Sequence, residues 1–86
     1  MQLLLFSSAF CEPCMRTRAV IDAASKLVPA ATITELDVAN DSTEAQKAGI
    51  RVTPTVVVLD AESTEVFRAE GVPTLNQVLA ALAKAV

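Results

Sequence analysis

Histidine, tryptophan and tyrosine are all missing from the 86 residues of this chain, and its three aromatic residues are all phenylalanine. Without larger aromatics, the core must be built mainly from Leu, Val, Ile and Ala, which the hydrophobic content of 52% can supply. Zinc sites usually take four ligands from Cys and His. The lack of histidine, with only two cysteines in the chain, argues against such a site within one molecule.

Basic residues and long apolar runs are also scarce. Seven Lys and Arg stand against ten Asp and Glu, so neither nucleic acid nor a membrane is expected as a partner. No apolar run approaches the roughly 20 residues that cross a bilayer. The segment Met1–Phe6 has no basic start, and its apolar stretch is too short for a signal peptide. We expect a cytoplasmic, monomeric protein with one domain over residues 1–86.

The hydrophobic pattern predicts seven elements in the order β-α-β-α-β-β-α. A first helix is expected from Cys11 to Val28, before the break at Pro29. Because a helix of this length suits a right-handed crossover, the strands on either side of it should be parallel. The four strands are expected at residues 2–6, 31–38, 55–59 and 65–69.

The two later helices carry the sequence signal of a capping box. In a capping box, the side chain at the start of the helix bonds to the backbone N–H of the residue three positions later, and the side chain of that residue bonds back to the first backbone N–H. For the last helix the pair is Thr74 with Gln77. For the short second helix, which should end at Gly49, two pairs are possible: Asp41 with Glu44, or Thr43 with Gln46.

The two cysteines, Cys11 and Cys14, lie between the first strand and the first helix. There the first sulfur lies beside unpaired backbone N–H groups at the positive end of the helix dipole, which favours thiolate over thiol. Because the thiolate attacks disulfides, Cys11 is expected to be the nucleophile and the more buried Cys14 to resolve the mixed disulfide. Glu12 disfavours further negative charge at Cys11, whereas Arg16 and Arg18 would favour it if they reached back.

Other interpretations of the cysteine pair stay open at this point. A zinc ion or an iron–sulfur cluster would need a dimer that pools two pairs of cysteines, or carboxylate ligands. A purely structural disulfide across three residues would close a very small loop and stabilise little. A redox-sensing or interaction module without general turnover is a further alternative. We predict dithiol–disulfide chemistry with no metal and no cofactor.

A second motif, Gly49-Ile50-Arg51-Val52-Thr53-Pro54-Thr55, precedes the third predicted strand, and Gly71 precedes the last amphipathic helix. With the Cys11–Cys14 motif after the first strand, these features span nearly the whole chain. The chain therefore resembles the thioredoxin superfamily, and among its members the small glutaredoxin-like thioredoxins. The resemblance implies an α/β thioredoxin-like fold whose four-stranded mixed sheet has the order 2-1-3-4 and is flanked by helices.

The resemblance also implies a site and a reaction. The bond before Pro54 is expected to be cis, and substrate contacts are expected at Phe10, Thr53, Pro54 and Gly71. The implied activity is exchange with the disulfides of client proteins, with a thioredoxin reductase or glutathione as the source of electrons. Glutathione-using glutaredoxins instead resemble Cys-Pro-Tyr-Cys with a later Gly-Gly-x-x-Asp run, so a glutathione-linked activity is the alternative.

Three positions depart from the thioredoxin pattern. Phe10 stands where thioredoxins commonly have Trp, and Leu5 stands where the family has a buried Asp credited with assisting proton transfer at the second cysteine. Glu35 falls where the family often has Lys, near the same spot. Glu35 is therefore our candidate proton relay to Cys14, with a pKa raised by partial burial. The alternative is a Glu35 that is merely exposed on its strand.

Overall fold

The structure, a computed structural model, describes all residues from 1 to 86. Its elements follow the predicted order, with helix and strand ends close to the expected ones. None of the three helices is both long enough and apolar enough to span a membrane. The elements are β1 (Gln2–Ser7), α1 (Glu12–Leu27), β2 (Thr32–Asp37), α2 (Ser42–Ala48), β3 (Thr55–Leu59), β4 (Glu65–Glu70) and α3 (Leu75–Lys84).

The strands form one mixed sheet in the order β2-β1-β3-β4, which confirms the predicted topology. β1 runs parallel to β2, with Leu5 opposite Glu35, because the α1 crossover carries the chain back to the starting edge. β1 runs antiparallel to β3, with Phe6 opposite Thr55, and β4 is the antiparallel partner of β3. The loop that follows β1 and the loop that precedes β3 therefore lie at the same edge of the sheet.

The helices cover the two faces of the sheet unequally. On one face, α1 and α3 pack against β1 and β3 in a core of ten buried residues that includes Leu5, Ile21 and Leu82. On the other face, the seven-residue helix α2 covers a smaller core of three buried residues: Phe6, Ala45 and Val57. Because α1 packs against the larger core through Ile21 and Ala24 and also buries Cys14 and Thr17, its first turn lies over one end of the sheet.

Of the two helices with predicted caps, only α3 has its capping box. The Thr74 hydroxyl accepts from the Gln77 N–H at 3.1 Å, and the Gln77 side chain accepts from the Thr74 N–H at 2.9 Å. The box predicted for α2 is wrong, because its N-cap residue, Asp41, makes no side-chain capping bond. The Asp41 carboxylate instead accepts from the Asp37 N–H at 3.1 Å, since the turn after β2 folds that amide back toward it.

We expect Thr74→Ala to lower the free energy of unfolding by about 1 kcal/mol, because it removes the capping oxygen of α3. Thr43→Ala is a matched control, since Thr43 is exposed within α2 and makes no capping bond, and its effect should stay within about 0.5 kcal/mol. Urea denaturation followed by circular dichroism measures both changes. Equal losses in the two variants would contradict this difference between the helices.

Candidate active site

Cys11 and Cys14 form a disulfide at the start of α1, with their Cα atoms 5.2 Å apart. Cys11 is the N-cap residue, and its Sγ accepts a hydrogen bond from the Cys14 N–H at 3.1 Å. Cys11 is partly exposed, whereas Cys14 is only 1% exposed. In the reduced protein the donated N–H and the helix dipole favour a thiolate at Cys11, and only this sulfur is open to a reaction partner.

The turn that leads into Cys11 has an unusual backbone at Phe10. This residue has a φ of 56°, in the left-handed region that bulky side chains rarely adopt, and its ring is fully exposed. Such backbone outliers are common at functional sites, where the surrounding structure maintains them. The Phe10 ring is thus presented to solvent directly beside the partly exposed sulfur of Cys11.

The loop before β3 brings together three of the predicted site residues. The Thr53–Pro54 peptide bond is cis, and Pro54 is buried. The carbonyl of Pro54 accepts from the Gly71 N–H at 2.9 Å, which joins this loop to the end of β4. Because β3 pairs with β1, Thr53, Pro54 and Gly71 lie at the same edge of the sheet as the turn that carries the disulfide.

Glu35 occupies a different environment from the one that its predicted role requires. Arg18 donates to both of its carboxylate oxygens, at 2.8 and 2.6 Å, and the buried Ser7 hydroxyl donates to one of them at 2.8 Å. The prediction of a raised pKa is wrong, because the hydrogen bonds from Arg18, aided by Ser7, hold the pKa of Glu35 below its ordinary value despite partial burial. A carboxylate held in this way is a poor acceptor for the proton of a thiol.

Two further charged side chains near the disulfide, Arg16 and Glu12, are paired with each other. Arg16 contacts the Glu12 carboxylate at 3.0 Å across one helical turn, so the charge of Glu12 has a counterion beside it. Neither Arg16 nor Arg18 donates to the sulfur of Cys11, because each is engaged with a carboxylate. Leu5, at the position of the family's acid, is buried in the larger core and supplies no proton acceptor.

An open groove of about 510 Å³ lies beside the disulfide. Cys11 is among its lining residues, and Cys14 is not. The structure brings no three acidic or cysteine side chains together in a metal-binding group. The groove is lined in part by Phe10, Cys11, Glu12, Met15, Arg18 and Glu35.

Two features of the site were missed in the sequence. One is the contact of Glu35 with Ser7, across the parallel strands β1 and β2, and with Arg18 on α1. The other is a hydrogen bond of 2.7 Å between the hydroxyls of Ser8 and Thr53, which are 45 positions apart. Residue spacing carries no signal for either contact, because both depend on how the strands and α1 come together in space.

Comparison with known proteins gives a family and a fold. The family model for a thioredoxin-like domain matches residues 2–86. A search of the curated proteins finds no match. Among solved structures, thioredoxin-2 of a malaria parasite, described as a component of protein secretion machinery, has a TM-score of 0.87 at 20% identity, covering 96% of this chain and 81% of its own.

Two further thioredoxins show the same fold. Thioredoxin 1 of Thermosipho africanus has a TM-score of 0.83 at 21% identity, covering 98% of this chain and 92% of its own. The thioredoxin of Fasciola hepatica has a TM-score of 0.85 at 21% identity, covering 99% of this chain and 80% of its own. At these sequence identities the structural similarity shows the fold alone.

The network around Glu35 predicts a specific pH dependence of stability. Because the pKa of Glu35 is lowered on folding, its contribution is full above the ordinary value of 4.5 and is lost as the pH falls below it. Glu35→Gln should therefore be less stable than the parent at pH 7, and the difference should shrink toward pH 3. The difference should be small, since the Arg18 and Glu35 side chains are 46% and 37% exposed.

Urea denaturation of both proteins at pH 7 and pH 3 measures this difference. Glu62→Gln is the matched control, because Glu62 is exposed in the turn before β4 and forms no ion pair, and it should match the parent at both values. If the difference in free energy of unfolding between Glu35→Gln and the parent were larger at pH 3 than at pH 7, the lowered pKa of Glu35 would be contradicted.

Proposed function

The chain belongs to the thioredoxin-like domain family, and from this premise we propose that it is a thiol–disulfide oxidoreductase acting on the disulfides of client proteins. The observation that carries the proposal is the asymmetry of the Cys11–Cys14 pair. One sulfur is partly exposed at a helix N-cap and accepts a backbone N–H, while the other is buried one turn further on. This is the arrangement needed for attack by one thiolate and release by the other thiol.

In the proposed reaction, the Cys11 thiolate attacks one sulfur of a client disulfide. A bond forms between Cys11 and that sulfur, the client S–S bond breaks, and the second client sulfur leaves as a thiolate. Cys14 then loses its proton and attacks the Cys11 sulfur, which forms the Cys11–Cys14 disulfide and releases the first client sulfur. The client gains two electrons, and the chain is oxidised by two.

The exposed apolar residues support a protein as the client. Six large hydrophobic residues are exposed, and four of them lie within two positions of Cys11, Cys14, Pro54 or Gly71. Exposed apolar groups around a reactive group favour binding of another protein's apolar side chains. Beside them, the backbone of Thr53 can pair with an extended client segment. The four residues are Phe10, Met15, Val52 and Val72.

The proton of Cys14 has no side-chain acceptor in the proposed mechanism. Leu5 supplies none, and Glu35 is held ionised by Arg18, so we assign no relay role to Glu35. In this proposal water, rather than a side chain, takes the proton when the mixed disulfide is resolved. Glu35→Gln should therefore leave the rate of resolution unchanged.

One dithiol or two monothiol molecules must reduce the disulfide again before a second client can be attacked. We propose a thioredoxin reductase or glutathione for this role, in the reducing environment of the cytoplasm. The test is turnover of insulin disulfides with each donor in turn. Faster turnover with the reductase supports the thioredoxin type of activity, and no turnover with either donor would overturn the proposal of general disulfide reduction.

The two cysteines should react unequally in the reduced protein. We expect Cys11 to be alkylated by iodoacetamide at least about tenfold faster than Cys14 near neutral pH, because its thiolate is favoured and exposed while Cys14 is buried. Mass spectrometry of peptides from a timed reaction measures both rates. Cys14→Ser should accumulate a mixed disulfide with a client at Cys11, and Cys11→Ser should abolish reduction. Equal alkylation rates would contradict these roles.

A further inference from the structure

The turn formed by residues 8–10, which carries Phe10 and leads into Cys11, is attached to its surroundings by a single hydrogen bond. Outside the helices and strands, no backbone hydrogen bond involves residues 8, 9 or 10. The one bond that these residues make joins the Ser8 Oγ to the Thr53 Oγ1 at 2.7 Å. Between its covalent links to β1 and α1, this turn is tied to the rest of the site by one hydrogen bond, which the side chain of Ser8 supplies.

The partner of Ser8 belongs to a loop that is itself held in place on both sides. The carbonyl of Pro54 accepts from the Gly71 N–H at 2.9 Å, and the Thr55 hydroxyl donates to the Val52 carbonyl at 2.7 Å. Pro54 and Thr55 are also buried. The Ser8–Thr53 bond thus connects a turn that makes one hydrogen bond to a loop that makes several.

We propose that Ser8 is a positioning residue for the reaction, acting through Thr53. Packing of α1 places Cys11, and the Ser8 hydroxyl holds the turn that leads into Cys11 against the loop that carries Thr53. The inference rests on the proposed function, in which a client must reach Cys11 and lie along the Thr53 backbone at the same time. Correct placement of both groups before the client arrives lowers the cost of binding in a reactive geometry.

If Ser8 has this role, its loss should affect large and small disulfide substrates differently. A peptide or protein disulfide uses both the Cys11 sulfur and the Thr53 backbone, so it depends on their separation. A small aromatic disulfide reagent reacts with the sulfur alone and has no segment to lie along the loop. Loss of the Ser8–Thr53 bond should therefore slow the first reaction and spare the second.

The experiment compares reduced parent, Ser8→Ala, Thr53→Val and the double variant with a disulfide-bonded peptide and with a small aromatic disulfide. We expect each single variant to lower kcat/KM for the peptide about two- to tenfold, as the loss of one hydrogen bond implies. The double variant should be no slower than the slower single variant, because both changes remove the same bond. The rate of Ser8→Ala with the small disulfide should match that of the parent.

Two further variants separate positioning from general damage. Ser8→Thr keeps a hydroxyl at this position and should restore most of the peptide rate. Ser25→Ala is the matched control, because the Ser25 hydroxyl bonds only to the carbonyl of Asp22 on α1, and it should leave both rates unchanged. Thermal denaturation verifies that each variant is folded at the assay temperature.

The outcomes are distinguishable. A parent protein that does not reduce the peptide overturns the proposed function, and the inference with it. A parent that reduces the peptide, with Ser8→Ala equally fast, overturns the inference alone. The same holds if Ser8→Ala slows both substrates equally, or if the effects of Ser8→Ala and Thr53→Val simply add.

Discussion

The antiparallel pairing of β1 with β3 at the centre of the sheet determines where the reactive groups meet. With Phe6 opposite Thr55, the chain leaves β1 toward the disulfide at the same edge where it enters β3 from Pro54. The Gly71 N–H bonds to the Pro54 carbonyl at this edge, and the Ser8 hydroxyl bonds to Thr53. A change in this register by one residue would move every site contact and turn the core side chains outward.

The packing of α1 supplies the second part of the site. Ile21 and Ala24 are buried against the sheet in the larger core, and this packing places the helix start, with its free N–H groups, beside the end of β1. The charges there are engaged in pairs, Arg16 with Glu12 and Arg18 with Glu35. The exposed side chains around Cys11 are consequently a mixture of apolar residues, such as Phe10 and Met15, and charged residues with ion-pair partners beside them.

The sequence pattern was sufficient for the element order and the cysteine pair, whereas the sheet order was expected from the resemblance to the thioredoxin superfamily. The element order depends on local patterns: alternation and apolar runs for the strands, a 3.6-residue period for α1, and the Thr74–Gln77 box for α3. A crossover helix between β1 and β2 makes them parallel for steric reasons that apply to any chain. The N-cap position of Cys11 and the burial of Cys14 likewise follow from their place at the start of an amphipathic helix.

Only the tertiary structure decided which polar side chains meet. The sequence places Glu35 near the disulfide, but not against Arg18 and Ser7, and those contacts reverse the expected direction of its pKa shift. The Ser8–Thr53 bond was not predicted either, nor was the bond of the Asp41 carboxylate to the Asp37 N–H instead of to its own helix. Periodicity encodes which face of an element is buried, because burial of apolar surface repeats along the chain. A hydrogen bond between distant side chains depends instead on a separation of a few tenths of an ångström, which is set only when the strands and helices pack together.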